Sequence, residues 1–261
     1  MSDFIKQCLS LEEYSFSKNE LHAISQKDKS ALTSDLSYLT KKGEILPLRK
    51  GFYLIIPPRY SKFGKLPLEL YVEKLFKFIA RPYYIGLYSA AKFHGASHQQ
   101  IQRDYVITIP PTLLDIKKST TNIRFFTMSN WPKKNIINKK SDAGHFKISD
   151  AALTTVDLIY HQTKLGGINR MLAIIEELIE EIKLSNLKDL LSWYPHKSTL
   201  QRLGFLLDEL QADSQLKELL SEYFKENRCF PVLLSPKSKE KPGAVNNIWK
   251  VDVNIKLESD L

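Results

Sequence analysis

The chain has 261 residues, 43% of them hydrophobic and 26% charged, with a formal net charge of +9 and a pI near 9.3. That length fills one large domain or two ordinary ones, and the hydrophobic content, enough for a real core, excludes a wholly disordered chain. Two distant cysteines, Cys8 and Cys229, give neither a disulfide framework nor a zinc-ligand spacing, which fits a reduced cytoplasm. No apolar window reaches membrane-span length, since the densest, 171–182, is broken by Glu176, Glu177, Glu180 and Glu181; MSDFIKQCLS also lacks the basic start and apolar run of a signal peptide.

Charge is unevenly spread. Gln26 to Lys65 holds nine Lys/Arg against three Asp/Glu, and Arg103 to Lys147 again nine against three, whereas Ser149 to Glu226 holds eight against thirteen. An anionic partner is therefore expected for the front and middle of the chain. Phe4 to Tyr14 reads as a short helix. Phe16-Ser17 opens the next, with Ser17 or Asn19 capping a turn that contains Glu20. A third helix follows, capped by Asp28 and ended by Gly43, in which Leu32, Leu36 and Leu39 form one apolar stripe. Its other face carries Lys29, Ser30, Thr33, Ser34, Ser37 and Lys41, short or basic side chains that could lie close in a DNA groove.

Beyond Gly43 the period changes to two. Ile45 to Leu48 and Phe52 to Ile56 flank Arg49-Lys50-Gly51, a hairpin with a basic tip. Helices followed by such a hairpin predict a winged helix-turn-helix over residues 1–58, contacting DNA through Lys29, Ser30, Thr33, Ser34, Ser37, Lys41, Arg49 and Lys50. The same pattern also fits a small helical unit whose cations are merely solvated. The proline- and lysine-rich stretch 57–65 marks a linker, and 66–261 a second domain.

In that domain the pattern predicts a helix over Pro67 to Ile79, an extended segment at Tyr83 to Leu87, and a helix capped by Ser89 and ended by Gly95. Asp104 to Ile109 and Ile123 to Thr127 read as strands, and Trp131 to Lys140 as a basic stretch. From Ser149 the chain turns helical and acidic: a helix capped by Ser149 or Asp150, a Gly166-Gly167 break, a long helix over Ile168 to Leu184, then helices at Leu187 to Trp193, Leu200 to Leu210 and Leu216 to Phe224. Val232 to Leu234 and Ile248 to Ile255 return to alternation and predict a strand laid onto the earlier sheet. The fold class expected is α+β: an N-terminal winged helix-turn-helix, then a larger mixed α/β domain with a helical, acidic second half.

No phosphate loop, dinucleotide fingerprint, nucleophile elbow or HExxH helix is present. His94 and His98 stand four apart, but Gly95 between them ends the helix and favours capping over metal binding. Asp157 and His161 share a helix face, as a surface or half-buried pair does. Glu181-Ile182-Lys183 matches a nuclease fragment that arises readily by chance in a helix. Lys133, Lys134, Lys139 and Lys140 fit a second phosphate patch as well as a solvated loop. The residues thus predict no catalytic centre, no metal and no cofactor.

Several stretches, in order, resemble the AbiEi family of antitoxins from type IV toxin–antitoxin (abortive infection) systems: KGEILPLRKGFYLI, YYIGLYSAAKFHGASHQQ leading into VITI, ISDAALTTVDLIYHQTKLGGI, QRLGFLLDEL, VLLSP, and NNIWKVDVN. The resemblance spans nearly the whole chain. It implies a cytoplasmic protein whose winged helix binds double-stranded operator DNA of its own operon as an autorepressor. It also implies that the remainder counters a nucleotidyltransferase-like toxin, without a stable complex being required. Ser89, His94, Gln99, Asp157, Gln201 and Arg202 fall in the matching motifs, with no agreed role in the family; as packing residues, Gln201 and Arg202 would start a helix and Gly204 would permit close approach. Two other readings stay open: a nucleic-acid-directed enzyme delivered by a winged helix, and a regulator or interaction module without an antitoxin role.

Overall fold

The computed structural model describes residues 2–25, 27–61, 65–96, 102–118, 120–237 and 240–258. It begins with α1 (Ser2–Ser10), β1 (Ser15–Ser17), α2 (Lys18–Ile24), α3 (Lys29–Lys41), β2 (Ile45–Arg49) and β3 (Phe52–Ile55). Leu32, Leu36 and Leu39 are buried on one stripe of α3 and pack with Ile5, Cys8, Phe16, Leu21, Ile45 and Ile55 into one core. The Asp28 carboxylate accepts the Ala31 N–H at 2.7 Å and starts α3. The helix ends at Lys41, with Gly43 beyond it at φ +72.

β1 corrects the sequence reading, which began a helix at Phe16. The helix starts only after Ser17, where a capping box forms: the Glu20 N–H donates to Ser17 Oγ and the Ser17 N–H to the Glu20 carboxylate. The residues before it stay extended, and Phe16 buries its ring between Phe4 and Tyr53. The sheet therefore has three antiparallel strands in the order β1-β3-β2. Pro47 is tolerated because β2 is an edge strand, and the register slips between Pro47 and Arg49.

Next come α4 (Pro58–Ser61), a 3-10 turn at Leu68–Leu70, α5 (Val72–Ile79), β4 (Tyr83–Ile85), α6 (Leu87–Phe93), β5 (Asp104–Thr108), β6 (Ile116–Lys118), β7 (Thr121–Thr127), β8 (Ile136–Ser141) and β9 (Gly144–Ser149). β4 to β9 form one sheet in the order β6-β7-β5-β4-β9-β8, with β5 and β7 parallel and β6 antiparallel to β7. Three expectations change here. The helix over Pro67 to Ile79 is broken at Tyr71, whose φ of −140 leaves the helical region. Ser89 is no cap: α6 starts at Leu87 after Gly86, so Ser89 sits inside it, 5% exposed. The basic stretch Trp131 to Lys140 contains an edge strand, β8, whose partner β9 was also unread.

The helical half runs α7 (Ala151–Tyr160), α8 (Gln162–Leu165), a 3-10 turn at Asn169–Met171, α9 (Leu172–Glu180), α10 (Leu184–Leu191), α11 (Lys197–Glu209), α12 (Ser214–Glu226), β10 (Val232–Leu233) and β11 (Val251–Asp252). Ala151 to Ile159 are all buried, so α7 is the central helix, packed on α6, α9, α10 and α11. The helix expected over Ile168 to Leu184 is divided, because the chain leaves α9 at Glu181 and restarts at Leu184. The tail is corrected too. β10 and β11 pair with each other in a separate two-stranded parallel sheet instead of joining the earlier one.

The residues group into two units, each discontinuous in sequence. One takes Met1–Tyr84, Gln102–Ser129 and Asn138–Lys147; the other takes Ile85–Ile101, Asn130–Ile137 and Ile148–Leu261. Among the described residues no helix is long and apolar enough to cross a membrane.

Candidate functional site

In the first unit, the side of α3 opposite its leucine stripe is open. Lys29, Ser30, Thr33, Ser34, Ser37 and Lys41 are all exposed there, at spacings of three and four that hold them on one face. Lys50 is exposed in the turn between β2 and β3, where Gly51 takes φ +80, a conformation that disfavours any residue with a Cβ. This turn is short, because Arg49 of β2 already pairs with Phe52 of β3.

Arg49 differs from its expected place at the tip. It ends β2, is half-buried, and has its Nη1 buried without a hydrogen-bond partner. The Thr33 hydroxyl is committed: it donates to the Lys29 carbonyl at 2.8 Å and accepts from Lys18 Nζ at 3.1 Å. Lys18 escaped the sequence reading. Nothing in its spacing places it beside a residue fifteen positions on, although it directly follows the Ser17 cap.

The nearby acidic charges are spent locally. Asp35 pairs with Lys27 at 2.6 Å, and Lys42 lies over the Tyr38 ring at 4.7 Å and 4.0 Å from Glu44. Lys74 on α5 bridges Glu13 at 2.9 Å and Glu20 at 3.3 Å. Burial alone would lower the Lys74 pKa, but those two carboxylates raise it above the usual lysine value. The same groups line a cleft of about 610 Å³ with Ser17, Tyr71, Glu73 and Phe78. What α3 and the turn present, then, is ammonium groups and hydroxyls. They can neutralise an anion and hydrogen-bond acceptors, but hold no matched acid and base.

In the second unit the motif residues serve the framework. His94 caps the end of α6, and its Nε2 donates to the Ser149 carbonyl at 2.8 Å. Next to it, Asp150 caps α7 through the Leu153 N–H at 2.9 Å and accepts the amides of Asn135 at 2.8 Å and Asn186 at 2.5 Å. Asn135 in turn accepts the Trp193 indole N–H at 2.8 Å. Burial raises the Asp150 pKa, with these donors and His94 opposing the shift.

Asp157 is fully buried on α7 and His161 is 5% exposed, where a surface or half-buried pair was expected; α7 is enclosed on every side, so both face the interior. Burial, and then the charge of Asp157, push the Tyr194 hydroxyl well above the usual phenol range. His161 meets Tyr160 edge-on, and Tyr160 stacks on His196 at 4.3 Å.

Gln201 and Arg202 do not start a helix. They lie inside α11, 2% and 9% exposed, and hold the tail. The Gln201 amide donates to the carbonyls of Phe230 at 2.9 Å and Trp249 at 2.8 Å, and Arg202 Nε donates to that of Leu233 at 2.9 Å. Gly204 completes the clamp, since a Cβ there would stand 2.2 Å from Trp249 Cε3. Gln99 and His98 lie outside the described residues. Glu181-Ile182-Lys183 falls between α9 and α10. Of the four clustered lysines, Lys134 pairs with Asp189 at 2.5 Å. Among the described residues no group of three His, Cys, Asp or Glu is placed to hold a metal ion.

Fold and site together define a mixed α+β protein with a basic, hydroxyl-rich helix face and a framework of buried polar clamps. Residues 84–209 match the family model of the AbiEi antitoxin C-terminal domain, and that segment is where the chain is similar to the AbiEi antitoxin family. That is a family of toxin–antitoxin proteins and not a family of enzymes. Among solved structures, the crystal structure of the RV2827C protein from Mycobacterium tuberculosis is similar in fold: the TM-score is 0.66 at 14% identity, over 96% of this chain and 89% of that one. No curated protein matches the chain.

Proposed function

We propose that residues 1–58 are a winged helix-turn-helix that binds double-stranded operator DNA and represses the chain's own operon. Residues 66–261 then act in the cytoplasm as the antitoxin of a type IV system, countering a nucleotidyltransferase-like toxin without a stable complex being required. The element order α1-β1-α2-α3-β2-β3, with β3 between its two partners, supports the first half. The observation that carries it is the open face of α3. Ser30, Ser34 and Ser37 are small enough for close approach to base edges, while Lys29, Lys41 and Lys50 would take phosphates. Half-buried Arg49 would contribute through its exposed edge, and Thr33 through its hold on Lys18. The AbiEi match supports the second half, in which Ser89, His94, Gln99, Asp157, Gln201 and Arg202 would maintain the shape the toxin responds to.

The first half is tested by gel retardation on DNA from upstream of the gene. Wild type should bind with affinity that falls steeply with salt, and Lys41→Ala with Lys50→Ala should abolish retardation while the melting temperature holds. Normal binding by that double variant refutes the DNA-binding assignment. Arg49 is avoided because its buried guanidinium edge makes its loss a stability change as well. For the second half, the adjoining reading frame should encode a nucleotidyltransferase-like protein whose growth arrest is relieved by co-expression of this chain.

A further inference from the structure

We infer that Lys18 is a further phosphate contact of the DNA interface, parked on Thr33 until DNA displaces it; this rests on the DNA-binding reading above. Three elements meet at this residue. The capping box fixes it as the first residue of α2. Its backbone N–H donates to the Gly51 carbonyl at 2.8 Å, which pins it to the turn that carries Lys50. Its Nζ reaches across to Thr33 Oγ1, one helical turn beyond Lys29. Lys18, Lys29 and Lys50 thus bracket the N-terminal half of α3.

The partner of Lys18 decides the role. Lys27, Lys42 and Lys74 each sit on a carboxylate, whereas Lys18, half-exposed, makes no ion pair among the described residues and rests on a neutral hydroxyl. A lysine ammonium is a point charge on a flexible stem. Exchanging one neutral acceptor for a charged phosphate oxygen therefore strengthens its hydrogen bond. The same movement frees an acceptor position on Thr33, whose own proton stays on the Lys29 carbonyl. Lys18 accordingly supplies charge, while Thr33 positions it before the encounter.

The experiment is an anisotropy titration of the full chain on its upstream duplex between 50 and 200 mM salt, using wild type, Lys18→Gln, Lys18→Arg and Lys50→Ala. Glutamine keeps a donor for Thr33 but loses the charge, so any fold defect from the lost hydrogen bond is separated from the electrostatics. One phosphate contact contributes about 0.9 to the log–log salt slope, so Lys18→Gln should flatten the slope by about one and the wild-type advantage should shrink about threefold across that range. Lys18→Arg should restore the slope, with melting temperatures unchanged. A wild-type slope in Lys18→Gln alongside a flattened slope in Lys50→Ala overturns this inference and leaves the DNA-binding reading standing. Failure of wild type to bind overturns both.

Discussion

Replacing Gly204 with alanine tests the clamp between α11 and the tail, because two physical effects predict opposite signs. On helix propensity alone, alanine in place of an interior glycine stabilises by about 1 kcal/mol. The new Cβ, however, would meet Trp249 Cε3, Cδ2 and Cζ3 at 2.2, 2.5 and 2.6 Å. Those are atoms of a rigid indole, 1% exposed, whose Nε1 is bonded to Asp208. No flexible end can give way, so the ring must leave its site. Losing a buried tryptophan from its contacts costs about 3–5 kcal/mol, which leaves a net loss of roughly 2–4 kcal/mol and a fall in melting temperature of roughly 5–15 °C for a chain of this size. Calorimetry reads the loss, and limited proteolysis should show new cleavage between residues 230 and 255. In a Trp249→Ala background the sign should reverse, and Gly204→Ala should stabilise. A single variant as stable as wild type refutes the clamp.

Gln201→Leu leaves the Phe230 and Trp249 carbonyls without their donor and should cost roughly 2–3 kcal/mol, with the same tail cleavage; unchanged cleavage would mean that the tail is held by other contacts. Asp150→Ala removes the cap of α7, leaves the Asn186 amide without its acceptor and takes one of the two acceptors of Asn135 Nδ2, which keeps the Asn186 carbonyl, for about 3 kcal/mol by urea unfolding. Asp150 also carries a pH signature. Its folded pKa is raised, so its contribution is fully present below the unfolded carboxylate pKa of about 3.9 and is lost as pH rises through the folded value. The stability of wild type relative to Asp150→Asn should therefore fall as pH rises through that window, and a flat difference would show that Asp150 keeps its ordinary pKa.

The sequence located α3 well because three independent signals agreed there: the leucine spacing, the Asp28 cap and the glycine beyond the end. It missed β1, since three residues of strand are too short to show a period and Ser17 already signalled a helix. β8 was hidden by its lysines on an edge strand, where one face meets water and the apolar alternation is thin, and β9, an interior strand, shows only Phe146 and Ile148 in alternation. The tail shows a different limit. Alternation correctly marked Val232 and Val251 as extended, yet it reports which face is buried and says nothing of which strand lies alongside. In the site, the face of α3 followed from periodicity, whereas Lys18 depends on a side chain reaching another helix. Asp157 and His161 were misplaced because a charged pair at helical spacing usually marks a solvated face, and only the enclosure of α7 reverses that.

The Gly204–Trp249 contact also sets an order in time. The two residues are 45 positions apart in the chain (249 − 204), which at about 5–20 residues per second of synthesis separates them by roughly 2–9 s. During that interval α11 has emerged with its glycine face uncovered and the donors of Gln201 and Arg202 without their carbonyls. Helices α1 to α3, whose shared core lies within residues 5–55, need no such wait. A chain interrupted before Trp249 would thus present a finished α3 beside an unfinished clamp, an easy target for a protease that recognises exposed apolar surface.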